Sequence, residues 1–147
     1  MKTIKLLLTA LVAVVLLAGE GCAKDHIVTF EKLPANAQNF IKKHFAEKQI
    51  SLCKKDVDFS ETTYEVYFND GCSVDFNKKG EWKEVNCRVS GVPDAIIPSP
   101  ILDYVKNNYP GVKIVKIDLD KRGYEIELTN RLELKFNKQF QLIDLDD

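Results

Sequence analysis

The chain has 147 residues, with 21 Lys and Arg against 22 Asp and Glu, a formal net charge of −1, and a hydrophobic share of 45%. That balance holds no basic excess to attract a phosphate backbone, which argues against nucleic-acid binding. One long apolar run occurs, at the N-terminus, so no transmembrane domain is expected beyond it.

The first elements in chain order read as an export signal over residues 1–23. Lys2 and Lys5 form a basic start, Leu6–Leu17 is apolar apart from Thr9, and the small residues Ala18, Gly19, Gly21 and Ala23 follow. Two processing chemistries fit. A cut before Lys24 would release a soluble periplasmic chain. Alternatively Cys22, preceded by Gly21, would accept a lipid anchor and tether the protein to a membrane. Cleavage removes Lys2, Lys5 and Glu20, which leaves a net charge of −2 on 124 residues, enough chain for one sizeable core.

Residues 24–147 are expected to form a single domain written twice, over about 30–87 and 92–147. Lys54-Lys55-Asp56-Val57-Asp58 answers Lys116-Ile117-Asp118-Leu119-Asp120, and from Tyr64 to Cys87 the match to Tyr124–Asp147 keeps a constant offset of 60. Each copy opens with a helix signal: Leu33-Pro34-Ala35 in the first, Ile97-Pro98-Ser99-Pro100 in the second. Ala37, Phe40, Ile41 and Phe45 then fall on one stripe, as do Ile101, Tyr104, Val105 and Tyr109.

Alternating segments follow. In the first copy they are Ser51–Asp58, Tyr64–Phe68, Cys72–Phe76 and Glu81–Cys87, in the second Lys113–Asp120, Tyr124–Leu128, Leu132–Phe136 and Gln141–Leu145. The predicted fold is α+β, a tandem repeat of a helix plus a four-stranded antiparallel meander, with the helices on one face of the sheet. The other face is expected to stay in water. Alternation puts Lys54, Asp56, Glu65, Tyr67, Asp75, Trp82, Glu84, Lys116, Asp118, Glu125, Glu127, Lys135 and Asp144 there.

These residues resemble the PepSY-like family of small exported proteins with the β-lactamase-inhibitor-protein-like fold. The resemblance rests on Leu33-Pro34 with Phe40-Ile41-Lys42, on Asp75-Phe76-Asn77-Lys78-Lys79-Gly80-Glu81-Trp82, on Lys116–Leu128 and on Leu134-Lys135-Phe136-Asn137-Lys138. It implies a tandem fold, Gram-negative export and no known reaction, and it carries over no catalytic residue. The fold's namesake binds an enzyme on its concave sheet, which is likeness of fold and transfers no target.

The chemistry available is that of a surface. Tyr67 and Trp82 are candidate aromatic anchors for a protein partner, with Asp75 and Glu84 around them. The carboxylate pairs Asp56/Asp58 and Asp118/Asp120 suggest calcium, but they lack the glycine and bidentate glutamate of a calcium loop. With two histidines no zinc set is complete, so neither a metal nor a cofactor is expected. Cys72 and Cys87 are a candidate disulfide. With Phe76 opposite Glu81 they become diagonal neighbours, bonded only with local distortion, and Cys53 is left as a buried thiol.

Serine-hydrolase, phosphate-loop and zinc-protease motifs are absent, and a Cys53–His44 pair has nothing to activate it. The expected function is a non-enzymatic exported module that binds, or inhibits, another envelope protein through the open sheet face. The alternative is an envelope sensor of a ligand or of calcium on the acidic strand face.

Overall fold

The computed structural model describes residues 25–146; the predicted export signal and Cys22 lie outside them. The described chain forms strand β1 (His26–Val28), helix α1 (Ala35–His44), then β2 (Ile50–Val57), β3 (Thr62–Phe68), β4 (Ser73–Asn77) and β5 (Trp82–Asn86). Helix α2 (Ser99–Asn108) follows, and then β6 (Ile114–Leu119), β7 (Gly123–Leu128), β8 (Glu133–Asn137) and β9 (Leu142–Asp146). All nine strands lie in one sheet in chain order, each antiparallel to the next.

This corrects the predicted tandem of helix plus four-stranded meander. The molecule is mostly one nine-stranded antiparallel sheet with only two short helices. Two pairings make the difference, and neither is written in local alternation. β5 bonds to β6 through Val85 opposite Ile117, so the sheet continues across the midpoint of the chain. His26–Val28, which lies before the first predicted copy, pairs with Lys55–Cys53 and adds a first strand.

The helices form where the sequence pre-organises them. Pro34 and Pro98 hold extended φ and ψ just before each first turn, and Pro100 sits inside α2, where a missing N–H costs nothing. α1 buries Ala37 and Ile41, and α2 buries Ile101 and Val105. Phe40 of α1 meets Phe76 edge-on at 5.6 Å between ring centroids, and Tyr104 of α2 meets Phe136 in the same way at 5.5 Å. Val66, Val74, Phe76, Val85, Ile117, Ile126 and Leu134 are fully buried beneath them. The turn between β4 and β5 closes onto the start of α1 at Gly80, where a Cβ would lie 2.8 Å from the Pro34 Cβ at a φ of +79°. Only glycine fits there without strain.

A bulge between β4 and β5 decides which side chains share a face. Asp75 lies opposite Glu84 but Phe76 lies opposite Trp82, so Lys83 is the extra residue. Two expectations change with it. Trp82 turns from the open face to the helix side, where it packs against the core with its ring 6.4 Å from Phe40. The register also puts Ser73 opposite Asn86, so Cys72 and Cys87 are direct neighbours. They form a disulfide, with Cα atoms 4.3 Å apart. Cys53 is a buried free thiol whose pKa is raised by burial and then by the Glu31 charge.

Candidate functional site

On the face turned away from the helices the antiparallel registers line up one side chain per strand. Glu65 lies opposite Asp75, Asp75 opposite Glu84, Glu84 opposite Asp118 and Asp118 opposite Glu125. The row is bounded by Lys54 on β2 and by Lys135 on β8, beyond which stands Asp144. Five consecutive strands thus present carboxylates at strand spacing, roughly 5 Å apart. Like charges directly opposite each other oppose folding.

The charges around the row are only partly answered. Lys116, beside it on β6, lies 3.1 Å from Asp118 and 3.5 Å from Glu84. Burial works against the Lys116 ammonium, but Asp118 and Glu84 outweigh it and hold its pKa above the ordinary value. Lys135 reaches Asp146 at 2.9 Å and Asp144 at 3.4 Å. Arg88 clamps Glu127 in bidentate fashion at 2.6 and 2.7 Å. Asp75, in the middle of the row, has no lysine or arginine in contact among the described residues. Burial, then the neighbouring Glu84 and Glu65, push its pKa up to about 7. Glu84 is raised as well, first by burial and then by its contact with Asp118.

Of the residues singled out from the sequence, Tyr67, Asp75 and Glu84 lie on this face and Trp82 does not. Tyr67 donates its hydroxyl to Glu65 Oε2 at 2.6 Å, which raises its pKa well above the phenolic range. Its ring carries Lys54 Nζ at 5.6 Å from the centroid. The two aspartate pairs are split. Asp56 and Asp118 stand on strands, while Asp58 and Asp120 accept backbone N–H bonds within their own hairpin turns. Asp56 Oδ1 is buried without a hydrogen-bond partner. His44 is occupied against Phe40, 4.7 Å between centroids.

A cavity of about 470 Å³ opens over the second half of the row, walled in part by Asp75, Glu84, Lys116, Asp118, Glu125 and Lys135. Among the described residues no three His, Cys, Asp or Glu side chains are grouped so as to hold a metal ion as they stand. Also among them, no helix is long and apolar enough to cross a membrane. What the face offers is a field. It is an anionic strip on a rigid sheet, flanked by lysines and edged by one tyrosine.

Comparison with known proteins places this arrangement. Residues 62–144 match the family described as "Putative beta-lactamase-inhibitor-like, PepSY-like". The chain belongs to the PepSY-like family. Among solved structures, one from Bacteroides thetaiotaomicron is 47% identical, superposes with a TM-score of 0.83 and covers 84% of this chain and 97% of its own. It is described as a "putative calcium-regulated periplasmic protein". A second, a "putative periplasmic protein" of the DUF2874 family from Bacteroides vulgatus, is 42% identical with a TM-score of 0.83, covering 86% of this chain and 100% of its own. A third, a "putative periplasmic protein of unknown function" from Bacteroides vulgatus, is 39% identical with a TM-score of 0.80, covering 84% of this chain and 100% of its own. Curated proteins provide no match.

The carboxylate row itself escapes a reading of the sequence. Its members alternate correctly onto the open face, but their alignment depends on the bulge at Lys83 and on the β5–β6 pairing. The register read from the turn, with Phe76 opposite Glu81, misses the bulge, and nothing local supplies the pairing of β5 with β6 across the connector.

Proposed function

We infer that this PepSY-like chain is an exported, non-enzymatic binding module that takes a partner protein on its open sheet face. The observation that carries the reading is the row Glu65–Asp75–Glu84–Asp118–Glu125, kept uncovered although four like-charge pairs oppose folding. A complementary partner presents lysines and arginines to this strip, and its charge relieves the strain stored there. Tyr67 edges the strip as the aromatic contact, with Asp75 and Glu84 at the centre. Trp82 is not part of it. Export follows from the N-terminal pattern and agrees with relatives described as periplasmic. A lipid on Cys22 would tether the module, and mass spectrometry of the mature N-terminus decides between the two forms.

The test is capture from envelope extract with wild type, Tyr67→Ala and the double variant Asp75→Asn/Glu84→Gln. A specific partner is retained by wild type, released by moderate salt and lost with the double variant. Equal retention of every protein by all three forms removes the open face from the reading.

A second reading has its own support. The 47% identical relative is described as calcium-regulated, and calcium takes oxygen ligands of the kind the row supplies. Adjacent carboxylates such as Glu84 and Asp118 would converge on one ion once Lys116, which contacts both, swings aside. A ligand that prefers the folded state raises the melting temperature. A calcium-dependent rise, lost in the double variant, supports a calcium-responsive face; identical melts with calcium and with chelator reject it.

A further inference from the structure

The opposite side of the sheet holds a second feature. The bulge at Lys83 leaves Trp82 half-buried on the helix side, beside Phe40 and toward the β6–β7 hairpin. A groove of about 1160 Å³ runs there, with Phe40, Trp82 and Leu119 as its apolar lining and Lys121 and Lys138 on its rim. That is ample room for a small ligand.

The rim's charges are unequally spent. Glu61 is bridged to Lys83 at 2.8 Å, and Glu81 accepts from the Asn77 amide at 2.8 Å. Asp120 accepts from its own turn and contacts Arg122 at 3.3 Å. Lys121 and Lys138 are exposed and have no ion-pair partner among the described residues. The Glu81 carboxylate keeps its charge, but two unpaired ammonium groups outweigh it and leave the groove net positive over an aromatic floor. A neutral or cationic ligand would leave those ammonium groups unanswered, whereas an anion with an apolar body answers both features at once.

We propose that this groove binds an amphipathic carboxylate, an acyl chain lying on Phe40 and Trp82 with its carboxylate between Lys121 and Lys138. The site is separable from the open-face reading, because it uses none of the row's carboxylates, although the two cavities meet at Lys83, Leu119, Asp120 and Arg122.

Trp82 is the sole tryptophan, so the exported protein carries its own reporter. The experiment titrates it with monomeric dodecanoate while Trp82 emission is recorded, and repeats this with dodecanol, with Lys121→Gln/Lys138→Gln, and with vesicles of anionic phospholipid. Both lysines are exposed, so the variant keeps the fold. The expected result is a saturable blue shift with dodecanoate, a dissociation constant raised about tenfold in the double variant, as two partly exposed ion pairs imply, and weaker binding of dodecanol. No saturable change, equal affinity of wild type and variant, or a response to vesicles with none to monomeric dodecanoate each overturns the proposal. The last of these would make the surface a membrane contact instead.

Discussion

Replacing Asp75 with asparagine should stabilise the protein at neutral pH. Asp75 stands between Glu65 and Glu84 on the open face, and its pKa is pushed up to about 7 against an ordinary 3.8. A carboxyl whose folded pKa is raised binds more protons folded than unfolded, so its contribution is greatest below about pH 4. It is then lost progressively as pH climbs toward 7. A shift of about three pKa units corresponds to a ceiling of about 4 kcal/mol. Asp75 is only half-buried, and solvent screening brings that to about 2 kcal/mol. The assay is urea unfolding of wild type and Asp75→Asn between pH 4.5 and 8. Wild type should weaken across that range, and the variant should change less and exceed wild type by about 2 kcal/mol at pH 8. A variant less stable than wild type at pH 8, or one with an unchanged pH slope, would refute the claim that Asp75 is held in an unfavourable field.

Other outcomes follow from the fold. Phe76→Ala, at a fully buried ring under α1, should cost about 3–5 kcal/mol in chemical denaturation. Gly80→Ala forces a side chain into the start of α1 at a positive φ, and should lower stability by about 2 kcal/mol, read as a fall in Tm. Cys72→Ala/Cys87→Ala opens a covalent loop of sequence separation 15 and should cost on the order of 3 kcal/mol under oxidising conditions. Under strong reductant the wild type should fall toward the variant. Glu127→Gln breaks the bidentate clamp of Arg88, a surface contact worth at most about 1 kcal/mol, and should leave the fold intact by circular dichroism.

The helices and most strands could be seen in the sequence because their signals are local. The prolines before α1 and α2, the stripe of Ala37 and Ile41, and the alternation of Tyr64–Phe68 each act within a few residues. The same holds for the sidedness of Tyr67, Asp75 and Glu84. What alternation cannot carry is a one-residue irregularity. Lys83 shifts the phase of β5, and Trp82 then changes sides while Glu84 and Val85 keep theirs. Pairing between distant segments is equally silent in local pattern. β5 meets β6 only after a connector and a whole helix, and β1 joins the sheet from a segment with little alternation of its own. A meander read hairpin by hairpin therefore places most of the strands but not the joins that make nine of them one sheet.

Positions 60 residues apart provide an internal control on both surfaces. At the offset of 60, Asp75 is answered by Lys135, which forms ion pairs with Asp144 and Asp146. A cation is thus compatible with that strand position, and the backbone does not demand the acid at Asp75. One substitution would remove two like-charge contacts, and a face selected for stability alone would be expected to carry it. The bulge also recurs at that offset, with Ile143 as the extra residue and Leu142 opposite Phe136. Leu142, the counterpart of Trp82, remains exposed because β9 has no further strand beside it among the described residues. Trp82 gains its groove because β5 sits mid-sheet, where β6 and its hairpin supply Leu119 and Lys121 as a second wall. The same local pattern therefore builds an apolar groove at the centre of the sheet and only an exposed edge at its end. The pairing of β5 with β6, which joins Glu84 to Asp118 on one face, completes the groove on the other.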